Sequence, residues 1–515
     1  SRGLGDVYKR QKLVGAISGD VGLHEFDFTV SSEVRRNEYV KVWNDLDGWI
    51  LGRVVSMVDI EAKTATVEII GYKDERGFLM QPKSTLPRDT KVFKADQSFV
   101  MDTLGLTTKG IHLGMLDGRD IPVYLKKDEL IQKHCSILAK TGSGKSYTAG
   151  VLIEELLDKN VPLLIIDPHG EYLSLKYENQ SEEEKRQMDR FAIAPKGYAS
   201  QVVVYTPANL SINPAADKLF RIDGINLSVN ELYDFFTLSD AQLGVLYQSI
   251  NEIKARKEFY TIDDIVKEVA ESKSTTKWKI IHFLERIRDT GILSDSPTRV
   301  EELVKEGKAS IIDMKGAEPR LQQLIVYRLC KEVFEGRKMG KIPPFVLVIE
   351  EAHNFCPERG FGQAVSSRIL RTIASEGRKF GLGLLVISQR PARVDKNVIS
   401  QCNTQIILKV TNPNDIKALS RGLEFMSSEM EEEIKRIPQG VALLSSPSIE
   451  MPIMVDVRVR KSEHGGRAAE MRGGGAGAAG RAAVSKTVGW DADDSEEPDE
   501  RDEKKSSMLA RLLFE

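Results

Sequence analysis

Ala139-Lys140-Thr141-Gly142-Ser143-Gly144-Lys145-Ser146 follows the apolar run Cys135-Ser136-Ile137-Leu138 and opens a helix-like run over residues 147–157. Strand, loop and helix stand in the order that a phosphate cradle needs. Gly142 and Gly144 let the backbone curl so that successive N–H groups point at one anion, and the new helix N-terminus adds its partial positive charge. The expected nucleotide-binding set is Thr141, Gly142, Ser143, Gly144, Lys145, Ser146 and Tyr147, with Lys145 reaching the β- and γ-phosphates of ATP and Ser146 a magnesium ion. Ala139 stands where the strict pattern has glycine, and the strand-loop-helix context compensates. The competing reading is a Gly/Ser-rich turn before an ordinary helix.

Outward from the loop, the apolar run 162–167 precedes Pro168-His169-Gly170-Glu171-Tyr172, giving the β-α-β start of a parallel sheet. Asp167, at the carboxyl end of its strand, faces the ligand crevice of an open α/β sheet. It or Glu171 is a candidate for catalysis, with a turn-forming carboxylate as the default. Alternation resumes at 310–313, with a helix to Arg337, then Phe345-Val346-Leu347-Val348-Ile349 ending in Glu350-Glu351. Further strands are expected at 382–388, 404–410 and 441–444. The fold class is therefore α/β, a RecA-like phosphate-loop core.

Three other segments flank or interrupt it. Residues 1–108 carry short alternating or β-branched runs (25–30, 39–43, 49–58, 65–70), which fit a small antiparallel β-barrel. Residues 213–308 read as an inserted helical bundle. One helix opens at Ser239 with Gln242 as capping-box partner and places Leu243, Leu246, Tyr247, Ile250 and Ile253 on one face. Others open at Thr261 with Asp264, near Ser274 with Trp278, Ile281, Leu284 and Ile287 inward, and at Ser296 with Pro297 in first position. The ATPase core is then 109–212 and 309–460. From 461 to 515 the composition turns to Gly/Ala/Arg and then to acid, a flexible tail with a short apolar stripe at Met508, Leu509, Leu512 and Leu513.

Hydrolysis of a nucleoside triphosphate needs a carboxylate for the magnesium shell and a group that orients the attacking water. Two adjacent acids at the tip of a buried strand are costly unless they act, so Glu350 is assigned to magnesium through water and Glu351 to the lytic water. An amide at the tip of the next strand, Gln389, can sense the γ-phosphate. The 376–381 segment, Glu-Gly-Arg-Lys-Phe-Gly, is by itself an ordinary cationic helix end.

Composition adds limits. With 41% hydrophobic and 29% charged residues the chain has an ordinary soluble balance, and no apolar run nears the ~20 residues of a membrane span. Cys135, Cys330, Cys356 and Cys402 show no CxxC spacing, which argues for a reduced, cytoplasmic setting and against zinc. No charged-then-apolar leader pattern is seen, and the first ten residues are open to being non-native. The net charge is −3, while 491–505 alone holds nine acids against three bases, leaving +3 elsewhere. Any nucleic-acid surface must therefore be local.

The motifs at 139–146, 166–172 (Ile-Asp-Pro-His-Gly-Glu-Tyr), 348–353 (Val-Ile-Glu-Glu-Ala-His), 376–381 and 388–391 (Ser-Gln-Arg-Pro) together resemble the HerA branch of the HerA/FtsK ATPases, over residues 11 to about 460. The resemblance implies a HAS-type barrel at 1–108 and a homo-hexameric ring that threads double-stranded DNA. It also implies a NurA-type nuclease as partner, docked on the barrel, a role in resecting DNA ends, and an archaeal setting. By the same resemblance Arg378 becomes an arginine finger offered to the neighbouring subunit. Two other classes remain open: a ring ATPase that remodels protein, and a phosphate-loop phosphoryl-transfer enzyme.

Overall fold

Strands buried on both faces are continuous apolar runs, and here they assemble into one wide sheet behind a small barrel. The structure, a computed structural model, describes residues 12–59, 63–208, 210–229, 232, 238–422 and 428–465. The first eleven residues and the acidic tail, with its apolar stripe, lie outside the described residues.

The N-terminal strands are β1 (Leu13–Val21), β2 (Glu25–Val30), β3 (Tyr39–Asn44), β4 (Gly48–Asp59), β5 (Lys63–Lys73), β6 (Leu79–Met80) and β7 (Lys91–Lys94), ordered β2-β1-β7-β3-β4-β5-β6. Because β2 also pairs with β5, six strands close on themselves and β6 hangs on β5. Closure leaves no free edge among the six. Val14, Phe26, Phe28, Ile50 and Val67 fill the interior. Tyr39, Leu51 and Ile70 instead join the core of the following domain, so barrel and sheet domain share packing.

The remaining strands are β8 (Ile111–Leu116), β9 (Pro122–Leu125), β10 (Cys135–Leu138), β11 (Leu163–Asp167), β12 (Val202–Thr206), β13 (Lys218–Leu219), β14 (Ile222–Asp223), β15 (Leu293–Ser294), β16 (Ala309–Asp313), β17 (Phe345–Ile349), β18 (Leu382–Ser388), β19 (Thr404–Ile407), β20 (Val441–Ser445) and β21 (Ile453–Val457). Twelve of them form one sheet in the order β13-β12-β16-β11-β17-β18-β10-β19-β20-β21-β8-β9, and β14 pairs with β15 apart from it. From β13 to β19 neighbours are parallel, and from β19 to β9 they are antiparallel. The parallel part is the expected RecA-like core. Its antiparallel extension, built from a hairpin before the phosphate loop and one near the end of the core, was not foreseen.

Helices Asp240–Arg256, Ile262–Glu271 and Lys277–Asp289 make the insertion, and the capping boxes at Ser239/Gln242 and Thr261/Asp264 form as expected. Tyr247 and Trp278 do not point inward: they are 61% and 68% exposed. The buried stripe of the first helix runs through Gln242, Leu246, Ser249, Ile250 and Ile253, which Tyr247 only flanks. In the third helix Ile280, Ile281, Leu284 and Ile287 are buried, while the Lys277 ammonium stacks over the Trp278 ring outside. No helix opens at Ser296. Thr298 exchanges backbone and side-chain bonds with Arg221, which holds the chain extended until a four-residue helix, Val300–Leu303. The insertion is not a detached module, because Leu246, Ile250, Ile265 and Leu284 belong to one cluster with Phe345 and Leu384 of the sheet.

The core continues past the boundary drawn at 460. Arg458 and Arg460 are fully buried against the phosphate-loop helix Lys145–Asp158. Arg458 Nη1 lies 3.0 Å from Glu154 Oε2 and Nη2 lies 3.1 Å from Glu155 Oε1; Arg460 Nε lies 3.4 Å from Glu154 Oε1, which also accepts the Ser462 hydroxyl at 2.6 Å. Among the described residues no helix is long and apolar enough to cross a membrane. All four cysteines are buried and unpaired.

A buried charge stripped of its partner is costly, about 3–5 kcal/mol. Glu154→Ala takes from buried Arg460 its carboxylate partner and leaves buried Arg458 with Glu155, so it is expected to lower unfolding stability on that scale in urea titrations. Arg76→Ala, which breaks an exposed ion pair with Asp74, is expected to cost less than about 1 kcal/mol.

Candidate functional site

Register places the phosphate loop. Leu138 stands opposite Ser388 of β18 and Ile407 of β19, so the chain leaves the sheet between two strand tips. The Ala139 N–H donates to the Ser388 carbonyl at 3.2 Å and the Lys140 N–H to the Lys409 carbonyl at 2.9 Å, anchoring the base of the loop. The Ser143 hydroxyl ties the far side to the same Lys409 carbonyl at 3.2 Å. Gly142 (φ +77°) and Gly144 (φ +94°) take left-handed backbone; a Cβ on Gly142 would meet nothing within 4 Å, so the turn, not the space, demands glycine there. The helix that follows has Gly144 as its N-cap and no side chain bonding its first turn, which leaves those N–H groups to an anion. A triphosphate fits this cradle.

Next to it, β17 delivers the carboxylates. Glu350 is wholly buried, its N–H donating to the Ile166 carbonyl at 3.1 Å. The Lys145 ammonium contacts Glu350 Oε1 and stands 3.3 Å from Glu351 Oε1. Glu351 holds a left-handed backbone (φ +49°), a conformation that β-carbon sterics disfavour and that clusters at functional sites. Its Oε2 lies 3.2 Å from His353 Nδ1, which is also 3.1 Å from the Ser388 hydroxyl. Burial lowers the His353 pKa; Glu351 opposes this, while Arg390, Arg393 and Lys145 add to it. Gln389 reaches the loop, accepting the Thr141 hydroxyl. Ser146 sits half-buried in the first helical turn.

Thr141, Lys145, Glu350, Glu351 and Gln389 thus converge, as the sequence suggested. Arg378 does not join them. It is exposed, four residues before β18, while the site is at the other end of that seven-residue strand, about 20 Å away. Nor does the Tyr147 side chain face the cradle: its hydroxyl donates to Glu184 Oε2 at 3.0 Å and accepts the Arg460 N–H at 2.8 Å. Asp167 takes its default role. Its carboxylate accepts the N–H groups of His169 (3.2 Å), Gly170 (2.8 Å) and Tyr172 (3.0 Å), closing the turn after β11. Burial raises its pKa to about 6, against the pull of the Tyr172 and Glu171 backbone N–H groups.

Three features escaped the sequence reading. Tyr172, fully buried, donates its hydroxyl to Glu350 Oε2; burial raises its pKa well above 10, keeping the phenol protonated. Arg390 and Arg393 are cations near the site within the same chain, so Arg378 is not the one arginine available; Arg390 was visible in the Ser-Gln-Arg-Pro motif. His134 ties the strand carrying the phosphate loop to the segment carrying Arg378: Nδ1 accepts the Leu384 N–H at 3.0 Å and Nε2 faces the Ala374 carbonyl at 3.0 Å.

Residues 111–333 match the family model described as Helicase HerA, central domain. The chain is similar to a protein of Methanocaldococcus jannaschii described as a probable DNA double-strand break repair helicase HerA, with 27% identity covering 88% of this chain and 96% of that one. It is also similar to the DNA double-strand break repair helicase HerA of Pyrococcus furiosus, with 25% identity over 87% of this chain and 92% of the relative. Among solved structures, VirB4 of Thermoanaerobacter pseudethanolicus aligns with a TM-score of 0.48 and 18% identity, covering 68% of this chain and 96% of that one.

The two bonds of His134 require a neutral ring with its proton on Nε2, and burial holds its pKa down to about 4. Below about pH 6.5 the unfolded chain takes a proton that the folded chain refuses, so stability from this group is full above 6.5 and is lost as pH falls toward 4, by about 3 kcal/mol in all. Urea midpoints measured from pH 7 to 4.5 are expected to fall less steeply in His134→Gln. Some slope will remain, because burial holds His112 down to about 4 as well.

Proposed function

We propose that this chain, a member of the HerA helicase family, couples ATP hydrolysis to translocation along double-stranded DNA as a homo-hexameric ring in double-strand break repair. The observation that carries the reading is the meeting of Lys145 with Glu350 and Glu351 at the strand tips beside a glycine-turned phosphate loop. Lys145 exchanges its carboxylate partners for phosphate oxygens, and the loop N–H groups hold the rest of the triphosphate. The Ser146 hydroxyl and Glu350 are the groups that would hold magnesium, which when bound supplies positive charge against the charge that develops on the phosphates. Glu351 orients the attacking water and takes its proton. Gln389, tied to Thr141, registers the γ-phosphate.

Arg378 serves the neighbour. Within one chain it stands at the wrong end of the sheet, so a finger role requires a ring in which the leading edge of one sheet faces the trailing edge of the next. The barrel is the docking place for a NurA-type nuclease, and the setting is cytoplasmic. The relatives' names as DNA repair helicases favour DNA over protein as the substrate.

Three measurements test this. Duplex DNA is expected to stimulate ATP hydrolysis by a particle of hexameric mass; stimulation by unfolded protein alone would move the reading to a remodelling ring. Lys145→Ala is expected to lose nucleotide binding, whereas Glu351→Gln binds ATP and fails to turn it over. Arg378→Ala is expected to bind ATP normally with hydrolysis down about 10³-fold or more, and to regain activity when mixed into rings with Lys145→Ala. Verified mixed rings without recovery would make Arg378 an ordinary helix-end cation.

A further inference from the structure

We propose that Tyr172 is a positioning residue for the magnesium-side carboxylate, fixing Glu350 through Oε2 while Lys145 is free to leave Oε1. This rests on the assignment of Glu350 to magnesium made above.

The carboxylate of Glu350 is fully buried and has two contacts of opposite character. Oε1 faces the Lys145 ammonium. That cation sits on four rotatable bonds, has Glu351 as a second partner at 3.3 Å, and must turn to phosphate when nucleotide enters. Oε2 accepts the Tyr172 hydroxyl at 2.5 Å. This donor cannot wander. The ring is fully buried, and its backbone is pinned by the Tyr172 N–H to Asp167 Oδ2 at 3.0 Å, in a turn that Asp167 Oδ1 closes through His169 and Gly170. A chain of fixed bonds thus runs from the tip of β11 through Tyr172 to the tip of β17.

When Lys145 moves, the Tyr172 hydroxyl is the side-chain partner left to Glu350 among the described residues. Without it the carboxylate has a freed, buried oxygen and other rotamers open to it. The phenol acts through Glu350 and touches no phosphate. Its loss should therefore be felt where metal is present and not where nucleotide binds alone.

The test uses the full chain and calorimetric ADP binding with and without Mg2+, together with Mn2+ binding in the presence of ADP read by electron paramagnetic resonance. Tyr172→Phe keeps the ring and removes the hydroxyl. Metal-free ADP affinity is expected to stay within about twofold, while the gain on adding Mg2+ and the Mn2+ affinity fall about tenfold, the scale of one lost bond to a charged group. In a Glu350→Gln background the same substitution is expected to change neither by more than about twofold. Equal weakening with and without metal, or additivity with Glu350→Gln, would overturn the proposal and leave Tyr172 as packing. Asp167→Asn, which loosens the turn but leaves the phenol, is expected to lower the same metal-dependent gain by a smaller factor and carries the test should the phenylalanine variant not fold. If the unmodified chain shows a metal gain that Glu350→Gln leaves intact, the assignment of Glu350 itself fails, an outcome distinct from failure of the tyrosine.

Discussion

Lys145 with Glu350 and Glu351 is one cation and two carboxylates withdrawn from water, and the architecture of this chain follows from the need to keep them there. Each such group alone would cost several kcal/mol to bury. Together they offset much of that cost only if two separate segments end at one point: the loop after β10 and the turn at the tip of β17. A parallel sheet does this by construction, since all of its strands end on the same edge. The trio carries a formal excess of one negative charge. The phosphate loop, with its uncapped helix start, supplies the opposite bias a few ångströms away.

The same directionality divides the sheet into two unlike edges. Asp167, Asp313 and Glu350 finish their strands, or directly follow them, at the carboxyl end; Arg378 and Lys379 precede β18 at the other. Such polarity suits a head-to-tail contact between copies, the kind that closes into a ring when the rotation is right. His134 bears on this arrangement, because it bonds the chain just before β10 to Ala374 and Leu384 on either side of Arg378. The phosphate-loop strand and the segment that carries the arginine are thus joined through one buried ring and packed backbone.

Much of this was legible in order along the chain. Cys135–Leu138, Phe345–Ile349 and Leu382–Ser388 form at the expected residues because a strand buried on both faces leaves an uninterrupted apolar run. The helix starts at Ser239 and Thr261 were equally plain, since a capping box is a local contract between residues three apart. What escaped was non-local. Glu154 meets Arg458 across some three hundred residues of chain, and Tyr172 meets Glu350 across nearly two hundred; no spacing rule connects such pairs. Tyr247 and Trp278 were misread for a different reason. A helical face wide enough to hold five apolar residues does not say where its buried centre lies, and an aromatic at its margin can lie flat outside.

The placement of the insertion shows how the site tolerates so large an interruption. β12 and β16 are adjacent and parallel, with Val202 opposite Ala309 and Tyr205 opposite Ile312. A parallel pair can never be joined by a tight turn; it needs a crossover of a dozen residues or more that returns the chain to the starting end. The helical bundle is that crossover enlarged, so its ends already had to be a strand length apart, and loop-closure entropy grows only slowly with added residues. β12 and β16 also stand on the far side of β11 from the carboxylate strand β17. The helices can thus rest on the sheet through Leu246, Ile250 and Leu284 without touching the phosphate loop. The same cluster reaches Ile349 and Ala352 on either side of Glu350 and Glu351, so the insertion shares packing with the strand that carries the carboxylates, while Tyr247 and Trp278 lie on its exposed face.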